Sequence, residues 1–219
     1  MIDRNTIPAE SPLIGDELKG QLAQILAKMK EPMTVKAIVP TDTDKGAEMA
    51  AFLNVFCGLG DKISLELYEA GEAEAVPELN AAYLPVTGLY KDGEFKRVSF
   101  HGVPGGKEIN PFVAAMINLS GAGKGVGFLL KKKIEKISKP ANLKICVSLA
   151  CHHCPNVVAA CQQIALLNPM VEAEMIDARL YEDLVARYKI ERVPCLIVND
   201  QDIYMGEKTI DEIADLLKN

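Results

Sequence analysis

The sequence has no apolar run approaching the roughly 20 residues that a helix needs to cross a bilayer. Its first residues, Met1-Ile2-Asp3-Arg4-Asn5, lack the apolar core of a secretion signal, so the expected location is the cytoplasm. A basic excess is also missing: 24 Lys and Arg stand against 30 Asp and Glu, for a net charge of −6. Nucleic-acid binders usually carry a basic face, so nucleic acid is not expected as a partner, and the missing spanning run leaves no membrane expected either. Cysteine is scarce. Six in 219 residues cannot staple a secreted scaffold, and a reducing compartment keeps most of them as thiols. What is present is the balance of a folded protein, 49% hydrophobic and 25% charged. The length suits one large domain or two of roughly 100 residues.

Along the chain, Leu18, Leu22, Ile25, Leu26 and Met29 repeat at the spacing of one buried helix face, which predicts a helix over 13–29 stopped by Pro32. Strand alternation follows at 35–39, a helix at 44–57 and a strand at 63–67. The Ala- and Glu-rich stretch 71–82 is weakly helical. Residues 85–90 and 95–100 read as two strands joined by the turn Lys91-Asp92-Gly93-Glu94, and 107–119 as a helix. The same order then recurs: helix 126–137 stopped by Pro140, strand 143–147, helix 156–167, strand 171–176, helix 181–188, strands 195–198 and 203–205, helix 210–217. The helix-stopping prolines 32 and 140 are offset by 108 residues, and the strand-opening prolines 85 and 194 by 109. A repeat this long is a duplicated domain. We place the halves at 1–121 and 122–219, with the glycine-rich stretch 121–127 as a flexible joint. That stretch is not a phosphate loop, because Gly125 follows Lys124 where Ser or Thr is needed. Nor is it a dinucleotide fingerprint, because it follows a helix.

The chemistry concentrates in Cys151-His152-His153-Cys154-Pro155, a Cys-x-x-Cys at a strand-to-helix turn inside a βαβ pattern. A sulfur at a helix N-terminus meets unpaired N–H groups and the positive end of the helix dipole, which favour thiolate over thiol. Cys151 is therefore the expected nucleophile, and Cys154, one turn later, is placed to resolve a mixed disulfide. His152 and His153 are expected to be exposed and to tune the thiolate. Pro155 suits a first helical turn. Zinc is the competing reading of two Cys and two His, but structural zinc sites draw ligand pairs from separated segments, and no metal is expected. A c-type haem needs His where Pro155 stands. Cys57, Cys146 and Cys161 read as small core residues. Cys195, beside Pro194, reads as a packing residue or, if it lies close to the dithiol, as one with a redox or metal role. Lys131-Lys132-Lys133 reads as a solvated helix face. In the first half, Asp42 stands 43 residues before Pro85, as Cys151 does before Pro194, and Lys45 takes the place of Cys154. That half has no dithiol.

The segment Ser148 to Val158, with Leu166-Leu167-Asn168-Pro169, Ile176-Asp177 and Val193-Pro194, resembles the N-terminal domain of the alkyl hydroperoxide reductase flavoprotein subunit. The resemblance is close over roughly 140–219 and looser, at the level of element order, over 1–139. It implies an α/β chain of two tandem thioredoxin-like folds, each a central mixed sheet flanked by helices, only the second keeping its dithiol. It further implies that Pro194 is a cis proline that, with Val193, presents backbone to an incoming peptide. Cys151 and Cys154 would relay electrons from a flavoprotein dithiol to a peroxiredoxin disulfide. The sequence carries no dinucleotide fingerprint, so FAD and NAD(P)H are expected only on a separate thioredoxin-reductase-like flavoprotein, and no cofactor on this chain beyond its own redox-active disulfide. His153 replaces the more usual Asn of that motif. The thermophile two-fold protein disulfide oxidoreductases have a similar length but often carry a dithiol in both halves. A thiol–disulfide oxidoreductase feeding a peroxiredoxin or another disulfide substrate is thus expected. The alternatives are a general disulfide reductase or isomerase, and a zinc- or partner-binding module without turnover.

Overall fold

The structure, a computed structural model, describes residues 1–218. Its first half runs α1 (Asp16–Leu26), β1 (Met33–Ile38), α2 (Asp44–Cys57), β2 (Ile63–Tyr68), β3 (Val86–Lys91), β4 (Glu94–His101) and α3 (Ile109–Leu119). The second runs α4 (Phe128–Glu135), β5 (Ala141–Val147), α5 (Cys154–Leu167), β6 (Val171–Asp177), α6 (Glu182–Arg187), β7 (Cys195–Val198), β8 (Asp202–Met205) and α7 (Ile210–Leu216). The weakly helical stretch is shorter than expected, a 3-10 turn over Ala70–Ala75, because Pro77 and the following Asn80 turn leave no room for a full helix.

All eight strands form one sheet in the order β2-β1-β3-β4-β6-β5-β7-β8. β1 pairs parallel with β2 and antiparallel with β3, and β5 does the same with β6 and β7. The pairing repeats as the prolines do. The halves meet at β4 and β6, parallel and in register from Val98↔Ala173 to His101↔Ile176. Two strands that would otherwise be open edges are thereby paired. Val98, Ser99, Phe100 and His101 are all buried, as expected of a strand covered on both faces.

One helix layer seals the junction. Phe100 of β4 stacks edge-on against Phe112 of α3 at 4.9 Å, and Phe112 lies 4.8 Å from Phe56 of α2. α3 packs along α5, where the Asn118 amide donates to Gln163 at 2.6 Å. On the sheet the junction is polar. His101 Nε2 lies 2.9 Å from Glu174 Oε2, which also accepts from Asn80 at 3.0 Å, while Asn142 donates to Oε1 at 2.5 Å. Burial alone would raise the Glu174 carboxyl, but the hydrogen bond and charge from His101, with Asn142 and Lys144, bring it down to about 2. His101 and Asn80 belong to the first half, Glu174 and Asn142 to the second. The carboxylate therefore ties the halves together with charge-assisted bonds. The glycine-rich segment is a defined turn in which the N–H groups of Ala122 and Gly123 both donate to the Ile117 carbonyl at 3.1 Å.

Candidate functional site: a dithiol at a helix N-terminus

β5 delivers the chain to the sheet's end at Val147, and α5 begins at Cys154, two residues earlier than periodicity predicts. Pro155 can occupy the second helical position because the first-turn N–H groups have no partner in the helix. His153 precedes the helix and supplies no side-chain cap. The sulfur of Cys151 takes that role, accepting the Cys154 N–H at 3.2 Å. Cys151 and Cys154 form a disulfide with Cα atoms 5.6 Å apart. The two ends differ: Cys154 is fully buried in the core, and Cys151 is half-buried at its rim. Incoming thiolates can therefore reach Cys151 and not Cys154. A negative sulfur at Cys151 meets the Cys154 N–H and the helix dipole at once.

Val193-Pro194 is a cis peptide, and Val193 packs against the same core as Cys151. The Pro194 carbonyl accepts from Gly206 at 2.8 Å, which holds the β7–β8 end beside the site. His152 and His153 are both exposed, as expected. His153 Nδ1 lies 3.0 Å from Glu207, whose other oxygen accepts from Asn156 at 3.0 Å. The Asn156 bond first, and then the His153 charge, hold the Glu207 carboxyl below its usual range.

The first half builds one wall of the site. After β4 the chain turns through Gly102 to Glu108 and runs against the dithiol loop, where Lys107 N–H donates to Leu149 O at 3.0 Å. Gly106 has φ of 55°, and a Cβ there would lie 2.7 Å from the Leu149 oxygen, so only glycine permits the approach. That turn sets Glu108 in the interior, packed with its segment against α5, and neither carboxylate oxygen has a hydrogen-bond partner. Burial, helped by the charge of Asp177, pushes the Glu108 carboxyl up to about 8. Burial likewise raises Asp177, which sits at the end of β6 opposite Val147. Sequence reasoning missed Glu108, Asp177 and Glu207. A lone Glu after Gly-Gly-Lys carries no pattern, and it is the packing of the 106–108 turn against α5 and the Leu149 loop that buries it.

Cys57, Cys146 and Cys161 are buried, and burial pushes all three thiols up, Cys57 to about 12. Cys195 is buried too, in a packing role. It lies across from Cys146 and shares with it a cluster that includes Leu184 of α6 and Tyr188, because strand alternation from Pro194 turns it away from α5. Burial raises it to about 11. In the first half, Leu84-Pro85 is also cis, and α2 begins with Thr43 Oγ1 accepting from Gly46 N–H at 3.1 Å. Matching helix starts sets Thr41 and Asp44 against the dithiol, and matching the cis prolines sets Asp42 and Lys45 there. No sulfur falls at any of the four positions.

A thioredoxin-domain family model matches residues 141–218, the half that carries the disulfide. The crystallised NTD_N/C domain of alkylhydroperoxide reductase AhpF from Enterococcus faecalis (V583) is 34% identical, covers 93% of this chain and 99% of its own, and superposes with a TM-score of 0.84. The chain belongs to the AhpF N-terminal-domain family. As an AhpF-type N-terminal domain it is a tandem thioredoxin-fold thiol–disulfide oxidoreductase, and the similarity extends over both halves, well beyond 140–219. Among curated relatives, "NADH dehydrogenase" of Bacillus subtilis (strain 168) is 30% identical over 90% of this chain. The F subunit of alkyl hydroperoxide reductase from Pseudomonas aeruginosa is 28% identical over 92%. The chain spans 36% of the length of each. A protein disulfide oxidoreductase from Aeropyrum pernix K1, 18% identical with a TM-score of 0.83, shares the fold. Among the described residues, no helix is long and apolar enough to cross a membrane.

Proposed function

We propose that this domain relays electron pairs from the dithiol of a thioredoxin-reductase-like flavoprotein to the disulfide of a peroxiredoxin, through Cys151 and Cys154. The observation that carries the reading is the asymmetric disulfide at the start of α5, Cys151 at the rim and Cys154 in the core. The AhpF relatives support a peroxiredoxin as the acceptor.

In the reductive half, a flavoprotein thiolate attacks the Cys151 sulfur, and the Cys151–Cys154 bond breaks with its electron pair on Cys154, which takes up a proton. The flavoprotein's second thiolate then attacks its own mixed-disulfide sulfur and releases Cys151 as thiolate. In the oxidative half, the Cys151 thiolate attacks the peroxiredoxin disulfide. Cys154 then loses its proton and attacks Cys151, releasing the reduced peroxiredoxin and reforming the internal disulfide. Cys154 changes protonation inside the core, where a thiolate is costly. The raised, unpartnered Glu108 carboxyl, packed against α5, is the group that takes and returns that proton. Val193 and Pro194 offer backbone to the partner peptide, and His152 and His153 stand exposed within the dithiol loop. No metal and no bound cofactor enters any step. The first half supplies Glu108 and a wall for the site in place of a second dithiol.

The test is trapping. Cys154→Ser, reduced and mixed with oxidised peroxiredoxin, should accumulate a mixed disulfide through Cys151, and Cys151→Ser should accumulate none. A mixed disulfide through any other cysteine, or one tightly held zinc per chain in protein purified under reducing conditions, overturns the reading.

A further inference from the structure

Residues 124–139 contain six lysines, Lys124, Lys131, Lys132, Lys133, Lys136 and Lys139, against the single acid Glu135, in a chain of net charge −6. Within this positive island lies α4, which buries Ile134 and lays half-buried Leu130 on the core. Lys133 turns inward to α7, reaching Asp211 at 2.8 Å and Asp215 at 2.6 Å. These contacts fix which side of α4 faces out. That side presents Phe128, 67% exposed, and Leu129, 81% exposed, as neighbours at the first helical turn. The Lys132 ammonium stands 4.6 Å over the Phe128 ring. Lys131 beside it is exposed and pairs with Glu135 at 3.8 Å, and Lys124, Lys136 and Lys139 are exposed on the segments flanking the helix.

A purely solvated lysine face gives no reason for two adjacent large apolar side chains to stand in water. Single exposed apolar residues are ordinary, but an apolar tip on a segment with six lysines and one acid marks a contact surface. We propose that the tip Phe128-Leu129 and the lysines of its segment dock this protein on an anionic lipid bilayer. Charge selects the occupant: the lysines meet acidic headgroups, and their stems can lie along the interface while their ammonium groups stay in water. Shape agrees. Phe128 and Leu129 project from the surface, which suits a deformable lipid interface that admits apolar side chains at the headgroup–acyl boundary. A protein partner would need a matching cavity. The expectation of no membrane partner rests on the missing spanning run, and that excludes a protein that spans a bilayer without excluding one that lies on it. The proposal does not depend on the dithiol reading.

Flotation of the oxidised full chain with vesicles tests it. The protein should float with phosphatidylcholine vesicles containing about one-third phosphatidylglycerol, and not with phosphatidylcholine alone. Raising salt from about 0.05 to about 0.5 M should release it, since screening shortens the reach of the lysines. Phe128→Ser combined with Leu129→Ser should lower the partition coefficient by about tenfold or more, and Lys131→Glu with Lys132→Glu should abolish flotation. All four positions are exposed, so thermal midpoints should match the parent. Should the double serine variant melt early, Leu129→Ser alone replaces it. Absence of flotation on either vesicle, equal flotation on both, or variants that float like the parent overturn the proposal. So does a chain that ignores vesicles while the serine variant loses affinity for the flavoprotein, which would assign the tip to an acidic protein.

Discussion

Replacing Glu108 by Gln keeps the side-chain shape and removes a buried ionisable group whose two oxygens have no partner. The Glu108 carboxyl stands at about 8 against an ordinary 4.5, with burial as the main cause and Asp177 as the second. A group raised in the folded state contributes its full stability below the unfolded pKa and loses it as pH climbs to the folded one. Each unit is worth about 1.4 kcal/mol, so ionising Glu108 in place costs up to about 5 kcal/mol by pH 8, and about 2–5 once relaxation of the surroundings is allowed for. The amide of the variant has no such slope. Urea unfolding of the oxidised parent and of Glu108→Gln should therefore give similar stabilities near pH 4.5, apart from a constant offset for the amide. The variant should then gain on the parent by on the order of 1 kcal/mol per pH unit up to about pH 8, and hold that lead above it. Asp177 is present in both proteins and largely cancels. Stability curves that run parallel from pH 4.5 to 9 would show that Glu108 ionises freely, and the proton role assigned to it would fall with them.

Three further outcomes follow from the same physics. The Cys151 thiol in Cys154→Ser should alkylate with an apparent pKa below the free-thiol value of about 8.5, and a value at or above it refutes the helix-terminus argument. Glu174, held down to about 2, contributes stability that is full above its unfolded value of 4.5 and drains away as pH falls towards 2. The parent should thus lose about 3 kcal/mol over that acid window, and Glu174→Gln should lack most of that loss while being less stable at pH 7. With the domain boundary proposed at 121/122, a fragment of residues 122–219 exposes the β6 edge and leaves Glu174 without His101 and Asn80. It should melt well below the full chain and be reduced more slowly by the flavoprotein, and a fragment as stable and as fast as the whole would deny the first half both roles.

Most of the fold was legible because its punctuation is local. Pro32 and Pro140 each stand directly before a strand, although α1 and α4 already end at Leu26 and Glu135, short of the expected 29 and 137. Asp92 and Gly93 adopt the positive φ angles that the hairpin turn requires, and the two strand-opening prolines keep their spacing. The dithiol was legible for the same reason, since Cys-x-x-Cys before an apolar helix needs no partner elsewhere to be recognised. Illegible features depend on contacts between residues far apart in sequence. Nothing in Glu108, Glu174 or His101 announces burial. Glu174 and His101 acquire their character from the pairing of β4 with β6, and Glu108 from the packing of its turn against α5, neither of which any periodicity encodes. Cys195 shows how little proximity in sequence decides a role: one residue past Pro194, it packs with Cys146, Leu184 and Tyr188.

The relay itself is tested most directly by mixing the fully reduced protein with oxidised peroxiredoxin, with no other reductant present, and counting thiols on both by mass after rapid alkylation. The account expects two thiols to vanish from Cys151 and Cys154 and two to appear on the peroxiredoxin, while Cys57, Cys146, Cys161 and Cys195 stay unchanged. A protein that keeps both thiols while the peroxiredoxin stays oxidised would contradict it.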